Sequence, residues 1–120
     1  MDKLVRRWED IAPDNPIPML YRQMLSGDRI LVDMVKLEPG CKVALHHHES
    51  EQIAYVISGR VKWGIGEPGS ADRREFEMTD GEVLHLPSNL PHEVLAIEET
   101  RILDMLSPPG PMGVDSQGQS

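Results

Sequence analysis

Through most of the chain, apolar residues fall on every second position. Val61, Trp63 and Ile65 alternate with Lys62 and Gly64, the period of a strand with one face in a core and one in water. Short runs of β-forming residues recur at Tyr21–Leu25, Arg29–Leu37, Ile53–Ile57, Arg73–Met78, Val83–Leu86, Val94–Ile97 and Arg101–Leu106. Turn residues separate them: Ser26-Gly27-Asp28, Glu38-Pro39-Gly40, Ser58-Gly59, a loop over 66–72, Thr79-Asp80-Gly81 and Glu98-Glu99-Thr100. Strands joined by turns every eight to twelve residues, with no helical stretch, predict an all-β sandwich or barrel. Tyr21–Leu25 and Arg29–Leu37 read as one hairpin, and Val94–Ile97 with Arg101–Leu106 as the last. Residues 29–37 are apolar on both faces: Ile30, Val32 and Met34 on one, Leu31, Val35 and Leu37 on the other. Such a strand needs cover on both sides, and a homodimer is the expected source of it.

The two ends of the chain read differently. Residues 1–11 fit either one helical turn or a short edge strand, and Pro13, Pro16 and Pro18 enforce an extended connector. The tail from Pro108 is rich in Pro, Gly, Ser and Gln and is expected to be poorly ordered. The predicted organisation is an N-terminal arm over 1–18, a β-barrel domain over 19–107 and a flexible tail over 108–120.

Composition narrows the functional classes. A chain of 120 residues suits one domain with a small core. A net charge of −8 without a basic run argues against nucleic acid or an anionic membrane surface as partner. Cys41 is the single cysteine, so no internal disulfide forms, and the residue reads as a small core side chain. With no apolar run of roughly 18 residues and no signal-peptide core, the expectation is a soluble, cytoplasmic protein acting on a small-molecule substrate.

Chemistry concentrates in Gly40–Gly59, where His46, His47 and His48 stand in a row. Strand alternation puts His46 and His48 on one face and His47 on the other. Ser50 and Gln52 return to the first face if the chain turns between them. Two imidazoles and an amide oxygen on a concave face, joined by a histidine from elsewhere, make a metal site. A row of surface histidines is the plainer reading of the triplet alone. His47 reads as a surface or interface residue, His85 as packed or interfacial, and Tyr55 and Trp63 as packing residues. Glu51 becomes a ligand only if the backbone shifts by one residue.

The motif spacing resembles the cupin superfamily. Gly40, His46, His48, Gln52 and Gly59 follow its first motif, with Gln52 where the family usually has Glu. Gly81, Pro87, Asn89, Pro91 and His92 follow its second, with Asn89 at a glycine position, a substitution suited to left-handed backbone, and Ala96 where the motif ends in Asn. The resemblance implies a jelly-roll barrel (a double-stranded β-helix) and the metal-ligand set His46, His48, Gln52 and His92. It also implies a divalent transition metal, nickel, zinc, manganese or iron. A carboxylate would cancel one unit of the ion's charge and an amide cancels none, so Gln52 weakens binding but leaves the ion more electron-withdrawing.

The segments HHHESEQIAYVISG, PSNLPHEV and ILDMLSPPG are further similar to the small cupins of pectin degradation that open unsaturated uronate rings. That likeness makes Asp104 the candidate for proton transfer. Leu106 and Gly110 replace the aromatic and the arginine of that pattern, and so remove the usual partner of a uronate carboxylate. The functional expectation is Lewis-acid isomerase or lyase chemistry on a small carboxylate or sugar acid. An iron- or copper-dependent dioxygenase and a non-catalytic metal or ligand module remain the alternatives, since one fold hosts all three.

Overall fold

A computed structural model describes residues 4–117; the first three residues of the arm and the last three of the tail lie outside the described residues. A 3₁₀ turn at Trp8–Asp10 precedes ten strands: β1 (Asp14–Ile17), β2 (Leu20–Ser26), β3 (Leu31–Leu37), β4 (Lys42–His46), β5 (Glu51–Ser58), β6 (Arg60–Ile65), β7 (Arg74–Thr79), β8 (Val83–Leu86), β9 (His92–Ala96) and β10 (Thr100–Ser107). They form two antiparallel sheets, one in the order β1-β2-β3-β10-β5-β8 and the other β4-β9-β6-β7, packed as a jelly roll. A single turn of helix, α1 (Val114–Gln117), follows.

The core lies between the sheets and is built by alternation. Leu31, Val35 and Leu37 of β3, Ala54 and Val56 of β5, Val61, Trp63 and Ile65 of β6, and Ile102 and Leu106 of β10 are all buried. Cys41 is fully buried among them, as its small apolar character implies. Gly59 is required where β5 turns into β6: its φ is +110°, and a Cβ there would lie 2.4 Å from the Glu99 carbonyl oxygen. Asn89 takes a φ of 64°, the left-handed conformation expected of it.

Three elements differ from the sequence expectation. The connector around Pro16 is the strand β1, which sits at a sheet edge, where a missing N–H is tolerated. The last two strands do not form a hairpin. β9 pairs with β4 and β6, while β10 crosses to the other sheet between β3 and β5, because the turn at 98–100 carries the chain from one layer to the other. Finally, residues 108–115, read from composition as a loose tail, lie across the open end of the barrel. Ser50 Oγ donates to the Pro108 carbonyl at 2.5 Å, and Val114 is buried in the core cluster.

Candidate metal centre

The two sheets bring the predicted ligands together. His46 ends β4 directly opposite His92, which begins β9, so the imidazoles are cross-strand neighbours with centroids 4.2 Å apart. The turn over 47–50 swings the chain from one sheet to the other and sets His48 above them, 5.0 Å from His92 and 5.8 Å from His46 by ring centroid. Gln52, at the start of β5, closes the group from the opposite sheet. One ligand atom from each of His46, His48 and His92 lies within 4.8 Å of the others.

Backbone carbonyls fix the tautomers. Nδ1 of His46 donates to Ala44 O, Nδ1 of His48 to Ser50 O and Nδ1 of His92 to Leu90 O, each at 2.8 Å. A carbonyl oxygen can only accept, so in each neutral ring the proton sits on Nδ1 and the lone pair on Nε2, the tautomer a metal needs. Burial is the main reason that His92 is pulled down to about 4, with repulsion from His46 and His48 adding to it. His46 is lowered for the same first reason. Both rings are therefore neutral at pH 7.

One contact tests the fit directly. His48 Nε2 and Gln52 Oε1 lie 3.0 Å apart. With Nδ1 already protonated toward Ser50 and the Gln52 amide nitrogen donating to Asp104 Oδ1 at 2.8 Å, two acceptors face each other. That arrangement is repulsive unless a cation or a proton lies between them. Two donors about 2.1 Å from a shared ion and at right angles are about 3 Å apart, so the residues fit a divalent metal.

Asp104 accepts a hydrogen bond from the Gln52 amide nitrogen and so holds the amide with its oxygen toward His48. It is buried, and desolvation raises it to about 7 against the opposing pull of the Gln52 hydrogen bond. Opposite it in register on β3 is Asp33, a residue the sequence reading passed over. Asp33 is fully buried, neither carboxylate oxygen has a hydrogen-bond partner among the described residues, and burial followed by repulsion from Asp104 raises it to about 8. Its signal in the sequence was a lone acid at an inward position between Leu31 and Val35. Asp33, Asp104, Gln52, the three histidines and Arg22 line one cavity of about 50 Å³. Its polar lining also includes Trp63, whose buried Nε1 has no partner among the described residues.

The remaining candidates point elsewhere. His47 is exposed. His85, expected to be packed or interfacial, is exposed in the single chain and meets Glu51 at 2.6 Å, which places Glu51 on the outer face, away from the imidazoles. The mouth of the cavity is covered by Met112, Gly113 and Val114. Gly113 packs so closely on His46 that a Cβ would fall 1.9 Å from its ring.

Comparisons with known proteins agree with this architecture. The sequence matches the family described as cupin domain over residues 33–107. No curated protein matches it by sequence. Among solved structures, an RmlC-like cupin from Shewanella frigidimarina superposes with a TM-score of 0.79 at 19% identity, over 90% of this chain and 93% of that one. KdgF from Halomonas sp. gives 0.75 at 21% identity, over 85% and 92%. A variant of Bacillus subtilis oxalate decarboxylase gives 0.75 at 20% identity over 84% of this chain, which spans only 28% of that longer protein. At these identities the likeness is one of fold.

Proposed function

The chain belongs to the cupin family, and from that premise we propose that it is a metal-dependent enzyme performing isomerase- or lyase-type chemistry on a small carboxylate or sugar acid. The observation that carries this reading is the gathering of one ligand atom from each of His46, His48 and His92 within 4.8 Å of one another, with the Gln52 oxygen 3.0 Å from His48 Nε2, in one cavity. An ion bound there supplies Lewis acidity toward a carbonyl, enol or carboxylate oxygen. The protein's own part is orientation and proton movement. Ser50, Leu90 and Ala44 carbonyls hold the rings, and Asp104 holds Gln52. With an affinity for protons near neutrality, Asp104 accepts and returns one during turnover. Among the solved structures of this fold, the Bacillus subtilis oxalate decarboxylase is described with Mn(II) centres, which is compatible with a metal here. Loss of the pattern's arginine at Gly110 leaves recognition of the acid to another residue.

Elemental analysis of the untagged full chain tests the proposal. About one equivalent of transition metal per chain is expected on stoichiometric grounds, and Asp104→Asn should keep it while turnover of an unsaturated uronate or a related keto acid falls at least ~100-fold. A chain that neither carries nor takes up metal refutes it. Bound iron that consumes oxygen would move the chemistry to the dioxygenase reading.

We also propose a homodimer. The outer face of the six-stranded sheet carries Leu25, Val32, Met105 and Ile53 in one cross-strand row, and Met34, Leu103, Tyr55 and Val83 in the next. Of these, Leu25, Ile53, Tyr55 and Val83 are exposed. Light scattering at high micromolar concentration should give twice the chain mass; a monomer would refute the assignment.

A further inference from the structure

Among the described residues, Arg22 on β2 is the one lysine or arginine lining the cavity, and it is buried. A guanidinium offers two edges, each able to hold a carboxylate with two hydrogen bonds. The Nε–Nη2 edge is filled by Asp14, whose oxygens sit at 2.8 and 3.1 Å. The Nη1–Nη2 edge is filled imperfectly. Nη2 meets one oxygen of Asp115, while Nη1 meets only the thioether of Met112 at 3.5 Å, a weak acceptor. Both residues belong to the segment over 112–115 that covers the mouth, and Asp115 Oδ2 also accepts the Met112 amide at 2.8 Å. The cavity of about 50 Å³ holds little more than water. A substrate must therefore move that segment, and doing so exposes the half-filled edge of Arg22.

We propose that the Nη1–Nη2 edge of Arg22 is the recognition point for the carboxylate of a small acid substrate, and that Asp115 is an intramolecular occupant of it which the substrate displaces. An incoming carboxylate replaces one oxygen and one sulfur contact by two charge-assisted hydrogen bonds in fork geometry, the arrangement for which arginine is suited and lysine is not. In a chain of net charge −8, with Asp33 and Asp104 in the same cavity, no other lysine or arginine among the described residues lines it to receive an anion. Tethered Asp115 competes with the ligand, so the observed affinity is the intrinsic one reduced by the fraction of molecules with the edge exposed. The same event couples acid binding to opening of the mouth above His46. This assignment rests on the small-acid reading of the site and supplies its substrate-binding residue.

The experiment is a titration of the ¹⁵N-labelled full chain, metal-stripped and zinc-loaded, with glycolate and with its neutral analogue glycolamide. Glycolate is expected to shift the Arg22 Nε–H signal and the amides of residues 112–115 together, and glycolamide to leave both in place. Asp115→Asn should bind glycolate at least about fivefold more tightly, because the competitor has lost its charge. Arg22→Lys, if it folds, should bind about tenfold more weakly or worse. Unchanged affinity in Asp115→Asn, or no response of the Arg22 signal in either protein at tens of millimolar glycolate, overturns the proposal. The two readings fail separately. Asp115-dependent glycolate binding in a chain that takes up no metal would remove the metal chemistry and keep Arg22. Full metal occupancy with Asp115-independent binding would do the reverse.

Discussion

Replacing His92 with alanine is expected to lower metal affinity by about 100-fold or more, since four-ligand sites bind zinc with roughly 10–16 kcal/mol and one ligand carries about a quarter of it. His92 is the right residue to remove because its ring is buried and neutral, with Nδ1 committed to Leu90. Substitution deletes one Nε2 without exposing a charge. Equilibrium dialysis of stripped protein against zinc reads the affinity, and full retention would mean that the histidines do not form the site. Gln52→Glu moves the affinity the other way, because the new carboxylate cancels charge on the ion that the amide does not. It also loses the hydrogen bond that the amide donates to Asp104 and sets two carboxyl groups against each other. The stripped variant should therefore melt lower than the wild type while its Tm gain on metal loading is larger.

Gln52 was legible from strand alternation and His92 from the resemblance of its motif to the cupins, and the reason is local. Alternation within Gly40–Gly59 fixes which faces His46 and His48 occupy, and the short loop over 87–91 fixes where His92 starts. The parts that were not legible depend on long-range pairing. Nothing in the sequence near Arg22 shows that Asp14 and Asp115, 8 and 93 residues away, converge on it. The crossing of β10 from the layer of β9 to that of β3 and β5 is likewise a property of topology, since both strands carry the same period. Composition misdirected the reading of residues 108–115: proline and glycine lower the tendency to form strands or helices, but Met112 and Val114 still bury side chains against the barrel. Asp33 was visible as a violation of its own strand's pattern. It was absorbed into a reading that counted the strand as apolar on both faces.

That violation carries the largest expected effect on stability. Asp33 holds its proton up to about 8 in the fold, chiefly because its carboxyl is desolvated, with Asp104 opposite it adding repulsion and Arg22 opposing; unfolded, it would ionise near 4. The sign follows from proton counting. Below about pH 4 both states are protonated and the group is neutral in its effect. Between about 4 and about 8 the unfolded chain releases the proton and the folded one keeps it, so stability falls as pH rises, by about 1.4 kcal/mol per pH unit. The accumulated loss by pH 8 is on the order of 5 kcal/mol, a large part of a small domain's total. Asp33→Asn carries no ionisable proton and fits the same volume, so the metal-free variant should match the wild type near pH 4.5 and exceed it increasingly toward pH 8. Because Asp104 faces Asp33 in register and also titrates, near about 7, the variant's slope should shrink rather than vanish. Denaturant unfolding of the two stripped proteins across that range measures it, and parallel stability curves would show that Asp33 is already ionised in the fold. A slope that shrinks in the variant places a proton-holding carboxyl group opposite Asp104, in the cavity that the three histidines line.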